Sequence, residues 1–201
     1  MAIIAVTRWR PCRSSEFLEP GRLRNITASR KLPVRRFRSV KANATMSEQV
    51  NAVPQDYPGV TAYLVIRGAA AAIDFYRTVF GAEEILRLAA PDGSIGHAEL
   101  RVAGGVVMLA DEVPDMDIKA PPTIGGSSVG LMVYVDDADA VFNAAIEAGA
   151  QQFKPMCDQF YGDRSGTLDD PFGHRWTIAS RIENVTPADI AERFNDLYGD
   201  D

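Results

Sequence analysis

The order of secondary structure is written twice along this chain, and this repeat constrains the fold more than any other feature. The first copy opens with a β-rich stretch at 59–68, and an Ala-rich helical pattern at 69–81 ends at Gly81. A strand pattern and then a hairpin pattern complete it, over residues 83–112. The second copy begins near residue 128, and Gly81-Ala82 recurs there as Gly149-Ala150. Two copies are too few for a solenoid, so we expect two modules that share one sheet system.

The repeat predicts an α+β fold in which two βαβββ modules form curved mixed sheets around a cavity. We place the folded domain at 57–186, with modules at about 57–113 and 127–183 and a Pro/Gly/Ser-rich connector between them. A C-terminal helix is expected at 186–201, where Thr186 is a suitable N-cap and Pro187 a suitable first residue.

The charge is divided unequally between the start of the chain and the rest. Residues 1–45 carry eleven Lys and Arg but two acids, whereas residues 46–201 carry ten basic and twenty-five acidic residues, a net charge of −15. We therefore predict that 1–56 is a basic, disordered leader without a core-forming pattern. It is a targeting peptide, a nucleic-acid-binding tail or an extension that precedes a start at Met46, and these alternatives stay open.

The short apolar runs and the two cysteines indicate which partners and which cellular compartment to expect. No apolar run approaches the 18 residues of a membrane span, so no membrane partner is expected. The acidic body would repel nucleic acid, so none is expected there either. Cys12 and Cys157 lack metal-type spacing, which favours a reducing compartment. We predict a cytoplasmic protein, or an organellar one if residues 1–45 are a targeting peptide.

Several segments carry a resemblance to a known family. The paired βαβββ order, IDFYRTVFGAEE at 73–84 and DPFGHRWTIAS at 170–180 resemble the vicinal oxygen chelate superfamily, which is the glyoxalase/bleomycin-resistance/dioxygenase class. IGHAELR, VVMLADE and FYGDRSGTLDDPFGHRW are similar to its PhnB-like branch. The resemblance covers about 57–186 and implies a glyoxalase-like fold. It also implies a homodimer, because members of the family often pair modules across subunits.

The resemblance further implies four positions at which metal-dependent glyoxalases hold their ion. They fall at Thr61, Met108, near Gly130 and at Thr177. None of these residues is His, Glu, Asp or Cys, the residues that bind divalent metals. We therefore predict no metal and no cofactor. Thr61, Met108 and Thr177 are instead predicted to contact a ligand.

If Met108 faces the cavity, strand alternation selects further candidates. A two-residue turn at Gly104-Gly105 would place Arg101 opposite Met108, with Glu99 and His97 on the same face. His97 and Glu99 are candidate catalytic residues, since an imidazole can exchange protons near neutral pH and a carboxylate can act as a base. Arg101 is a candidate ligand-binding residue. The alternative is a solvated strand face with an ordinary ion pair.

The segment 160–176 contributes the remaining candidates. DDPFG is typical of a turn, so Asp170 and His174 are predicted to be structural. We interpret Tyr161, Asp163 and Arg164 as ligand-binding residues in a loop at the cavity mouth, where Arg164 could dock an anionic group. An Asp163–Arg164 pair that fixes the loop is the alternative.

These observations predict a protein that binds a small molecule in a barrel-like cavity without the usual metal ligands. The charge of the body favours a cationic ligand. The alternatives are an atypical isomerase, lyase or dioxygenase-like enzyme that uses His97 and Glu99, and an interaction protein without a small-molecule site. The sequence leaves open whether the protein is an enzyme and which ligand it takes.

Overall fold

The computed structural model describes residues 51–57 and 59–198. Most of the predicted leader therefore lies outside the described residues. The first module consists of β1 (Ala62–Ile66), α1 (Ala69–Phe80), β2 (Glu83–Ala89), β3 (Ile95–Val102) and β4 (Gly105–Asp111). A connector follows, with a 3₁₀ turn at Pro114–Met116 and α2 (Pro121–Ile124). The second module consists of β5 (Gly130–Tyr134), α3 (Ala138–Glu147), β6 (Gln151–Asp158), β7 (Asp163–Asp169) and β8 (Arg175–Arg181). The last helix is α4 (Pro187–Tyr198).

Each module builds one four-stranded sheet, and the two sheets have the same topology. Sheet 1 has the strand order β1-β4-β3-β2 and sheet 2 the order β5-β8-β7-β6. In both, the first and last strands of the module pair in parallel and the other neighbours are antiparallel. No strand pairing joins the two sheets within the described residues. The predicted α+β fold with two mixed sheets is confirmed. The expectation of one shared sheet system is wrong, because the described strands form two separate sheets and no closed barrel.

The helices form where the sequence pattern predicts them. The buried side chains of α1 recur at helical spacing: Ala69, Ala72, Ile73, Phe75, Tyr76 and Val79. Gly81 ends α1 with φ of 62°, and its amide donates to the carbonyl of Tyr76. In the described part of the chain, no helix is long and apolar enough to cross a membrane.

The last strand of each module caps the helix of that module. Asp111, at the end of β4, accepts hydrogen bonds from the amides of Gly68 and Ala69 at 2.9 Å. Ser180, near the end of β8, accepts one from the amide of Ala138 at 2.9 Å. Both caps satisfy amides that a helix N-terminus leaves without partners. The repeat therefore extends from the strand order to the capping contacts.

The core joins the two modules through α1. The ring centroid of Trp176 on β8 lies 4.8 Å from that of Phe80 and 5.6 Å from that of Tyr76. The Tyr76 hydroxyl and the Trp176 indole donate to the same Asp170 carboxylate oxygen, at 2.7 and 3.1 Å. Asp170 also accepts from the amides of Phe172 and His174, so the DDPFG segment forms the expected turn. The helix-facing sides of both sheets are thus buried in one core.

The turn of the β3–β4 hairpin lies one residue earlier in the sequence than predicted. Ala103 and Gly104 form the turn, with φ of 45° and 85°, and Val102 pairs with Gly105. Glu99 therefore lies opposite Met108, and Arg101 opposite Val106. The predicted pairing of Arg101 with Met108 is wrong by two residues. Because side chains alternate with period two, this slip leaves every side chain on its predicted face.

Candidate functional site

A chain of hydrogen bonds runs across the face of sheet 1 that points away from α1, which we call the open face. The Tyr63 hydroxyl lies 3.0 Å from Nδ1 of His97, and Nε2 of His97 lies 3.0 Å from Oε1 of Glu99. The Tyr57 hydroxyl donates to the other carboxylate oxygen of Glu99, Oε2. Four side chains thus form one continuous polar network, which we call the relay.

Strand geometry explains why these side chains meet. His97 and Glu99 are two residues apart on β3 and so share a face. Met108 lies between their strand and β1, opposite Glu99 on one side and Tyr63 on the other. Tyr57 belongs to the segment that precedes β1 and reaches Glu99 from outside the sheet.

Two members of the relay, His97 and Glu99, are buried on the face that points away from α1. His97 and Glu99 are 3% and 2% exposed. On β2, Leu86 pairs with Glu99 and Leu88 with His97, so apolar side chains flank the pair. A charge removed from water at such a position is costly unless it has hydrogen-bond partners, which the relay supplies.

The hydrogen bonds set the protonation states of the relay. Burial raises the pKa of Glu99, but the hydrogen bonds from His97 and Tyr57 lower it by more, so the net pKa lies below its usual value. Burial, helped by the negative charge of Glu99, raises the pKa of Tyr63. We therefore assign an ionised Glu99 that accepts from Nε2 of His97 and from Tyr57, while the Tyr63 hydroxyl donates to Nδ1.

A small apolar cavity adjoins the relay at Tyr63. Its volume is about 210 Å³. The side chains that line it come from β1, β4 and the connector: Tyr63, Val65, Ala110, Val113 and Ile118. The connector is fixed above the sheet by Glu112, which accepts from Arg67, Thr123 and the amide of Ala120. These bonds, the one from Thr123 being the strongest, lower the pKa of Glu112 to about 2.

The equivalent face of sheet 2 has a different chemistry. Asp163 is fully buried there and accepts from the Tyr134 hydroxyl at 2.7 Å, while Nε of Arg181 lies 2.8 Å from its other oxygen. The hydroxyls of Thr167 and Thr177 lie 3.1 Å apart further along this face. The predicted ligand residues Asp163 and Thr177 therefore lie on sheet 2, and the relay lies on sheet 1.

Arg164 does not lie in the loop predicted for it. Arg164 lies within β7, and its guanidinium is 2.7 Å from Asp139 on α3 and 2.9 Å from Asp158. Alternation turns it to the helix side because its neighbour Asp163 points to the other face. Tyr161 accepts a hydrogen bond from Arg181 through its carbonyl. The structure does not bring either residue to the relay, and the partner of Asp163 is Arg181 and not Arg164.

Comparison with known proteins agrees with this architecture. The profile of the glyoxalase/bleomycin resistance protein/dioxygenase superfamily matches residues 59–178. The chain belongs to this superfamily. The vicinal oxygen chelate resemblance read from the sequence is confirmed.

Relatives of this superfamily member occur in bacteria and plants. An uncharacterized protein of Mycobacterium bovis is 41% identical over 136 residues, which cover 66% of this chain and 90% of the relative. The solved structure of a gene product from Arabidopsis thaliana has a TM-score of 0.50 at 25% identity, over 61% of this chain and 98% of that one. The PhnB protein from Bacillus cereus superposes with a TM-score of 0.50 at 21% identity, over 61% of this chain and 99% of that one.

The residues at the four metal positions implied by the superfamily do not fit a divalent ion. Thr61 precedes β1, Met108 lies in β4, Gly130 opens β5 and Thr177 lies in β8. They offer two hydroxyls and a thioether, where such metals take imidazole, carboxylate or thiolate. Among residues 51–57 and 59–198, no group of three or more His, Cys, Asp and Glu is arranged to hold a metal ion.

Two members of the relay escaped the sequence prediction. Tyr63 lies two residues after Thr61, so the same alternation that selected Met108 would have placed it on the open face. Tyr57 precedes the strand, and no periodicity predicts where its side chain goes. Arg101 lies on the open face beyond Glu99, as its place in β3 requires.

Proposed function

We propose that the protein binds a small cationic molecule on the open face of sheet 1, at the relay and the cavity beside it. The observation that carries this proposal is Glu99. It is a carboxylate with a lowered pKa, 2% exposed, on the face of sheet 1 that points away from α1. A buried ionised carboxylate, bonded here to an imidazole and a phenol, stabilises a cation placed beside it.

The surroundings of Glu99 support the same ligand class. The net charge of −15 on residues 46–201 creates a long-range field that attracts cations. The cavity of about 210 Å³ offers space for a small apolar group next to the relay. A compact organic cation with one apolar end would satisfy both features.

We propose further that the ligand is held without a metal and that a second copy of the chain covers the open faces. Binding without a metal is supported by the residues at the four metal positions, which lack imidazole, carboxylate and thiolate groups: Thr61, Met108, Gly130 and Thr177. Exposed apolar side chains on both sheets support the second: Tyr63, Leu88, Met132, Tyr134 and Phe153. Apolar surface of this kind commonly marks an interface. Native mass spectrometry with elemental analysis would report metal, retained ligand and subunit number together.

The binding proposal is tested by calorimetric titration with benzylamine, which is cationic at neutral pH, and with benzyl alcohol as its neutral counterpart. We expect Glu99→Gln to weaken benzylammonium binding by about 1.5–3 kcal/mol, the usual value of a hydrogen bond to a charged group. The matched control is Glu84→Gln, because Glu84 lies on the same sheet but pairs with Arg87. Equal losses in both variants, or no preference for the amine in the wild type, would refute the proposal.

A second candidate function is proton-transfer chemistry, in an isomerase or a lyase. The observation that favours it is the continuity of the relay, in which Tyr63, His97 and Glu99 could pass a proton away from a ligand held at Tyr63. Incorporation of solvent deuterium into a bound carbon acid would distinguish this enzyme from a binding protein. His97→Asn should abolish that incorporation.

A further inference from the structure

One acceptor of the relay, a carboxylate oxygen of Glu99, is already bonded to a tyrosine of the same chain. Glu99 presents two carboxylate oxygens: Oε1 is bonded to His97 and Oε2 to the Tyr57 hydroxyl. His97 belongs to the same strand as Glu99, whereas Tyr57 precedes β1 and lies in neither a helix nor a strand. The two partners of the carboxylate are therefore held in different ways.

From this we propose that Tyr57 is an intramolecular competitor, which occupies Oε2 of Glu99 until a cationic ligand displaces it. The inference rests on the proposed function and adds a specific contact to it. The ligand class is a primary or secondary ammonium, whose N–H replaces the phenol O–H on Glu99. The apolar part of the ligand would lie towards the cavity beside Tyr63.

The relative strengths of the two hydrogen bonds allow this exchange. Tyr57 is a neutral donor, since its hydrogen bond to Glu99 raises its pKa and keeps the phenol protonated. Both bonds are strengthened by the charge of Glu99, but an ammonium adds the attraction between two opposite charges, which the neutral phenol lacks. A neutral alcohol has no such advantage and should not displace Tyr57.

The position of Tyr57 also limits the cost of releasing it. The side chain is only partly buried, while the Glu99 carboxylate beneath it is nearly fully buried. The residues around Tyr57 are exposed: Gln55, Asp56, Gly59 and Val60. Release of the segment therefore breaks no helix or sheet and exposes little apolar surface.

The test compares Tyr57→Phe with the wild type in titrations with benzylammonium. The variant keeps the ring and removes the hydroxyl, so Oε2 becomes available without competition. Since a hydrogen bond to a charged group contributes about 1.5–3 kcal/mol, we expect the variant to bind the probe at least about tenfold more tightly. Benzyl alcohol should show a smaller change.

Each result assigns the failure to one proposal. If Glu99→Gln weakens benzylammonium binding but Tyr57→Phe leaves it equal or weaker, Tyr57 completes the site and the competitor proposal is wrong, while the proposed function stands. If neither the wild type nor Tyr57→Phe binds the probe, both proposals are wrong.

A second measurement covers the case in which Tyr57→Phe does not fold. Fluorotyrosine placed at position 57 of the wild-type chain reports its surroundings by fluorine NMR. Saturating benzylammonium should move the signal towards that of a solvent-exposed tyrosine. A signal that stays unchanged while the probe binds would overturn the proposal.

Discussion

Replacement of Asp170 by Ala should destabilise the protein strongly, because one buried carboxylate connects the two modules. Asp170 is 4% exposed and accepts four hydrogen bonds, from the Tyr76 hydroxyl, the Trp176 indole and two amides of its own turn. Hydrogen bonds to charged groups contribute about 1.5–3 kcal/mol each, but losses within one network are not additive. We expect a loss of about 3–5 kcal/mol, because the change leaves the buried Tyr76 hydroxyl and Trp176 indole without an acceptor, at about 1–3 kcal/mol each.

Chemical denaturation followed by tryptophan fluorescence measures this loss. Tyr76→Phe removes one of the four bonds and should cost about 1.5–3 kcal/mol. Asp169→Asn is the matched control. Asp169 is the neighbour of Asp170 in sequence, but its carboxylate pairs with Arg175 at the surface, where such pairs contribute about 0–1 kcal/mol. A loss below about 1 kcal/mol for Asp170→Ala, or one equal to that of Asp169→Asn, would refute the assignment of Asp170 as the link between modules.

Two further predictions concern pH and assembly. Burial lowers the pKa of His174, and the charge of Asp170 and a hydrogen bond with the Val65 backbone oppose this by smaller amounts. As pH falls, His174 is therefore protonated in the unfolded chain before it is protonated in the folded one. Stability should therefore decrease below about pH 6.5, by at most about 1.4 kcal/mol per pH unit, and His174→Gln should remove this part of the slope; identical slopes for both proteins would contradict it. Light scattering at micromolar concentration should give the mass of a homodimer, and a monomer mass would show the proposed assembly to be wrong.

The fold was predictable because local patterns agree with it along most of the chain. The alternation in β3 favours a strand, the Ala-rich start of α1 favours a helix, and the positive φ tolerated at Gly81 favours the end of that helix. Alternation also placed His97 and Glu99 on one face, and it did so despite the wrong turn. Ala103 adopts φ of 45°, which few residues other than glycine do, so the sequence pointed to Gly104-Gly105 instead.

The rest of the site depends on contacts between distant residues. Arg164 finds its partner on α3, 25 residues away, and no local pattern identifies Asp139. Tyr57 reaches Glu99 across 42 residues from a segment without periodicity. Asp163 meets Arg181 only because β7 and β8 pair in one particular register. Such contacts follow from tertiary packing, which sequence patterns constrain only weakly.

Histidine NMR tests the central claim, a cation site at Glu99, most directly. The chain has two histidines, and both are buried but in different places: His97 in the relay and His174 beside the Asp170 turn. On titration with benzylammonium, the His97 ring signals should shift to saturation while those of His174 stay in place. In Glu99→Gln the His97 shift should require a much higher probe concentration. A His97 signal that does not respond in the wild type, or that responds equally in Glu99→Gln, would contradict the account.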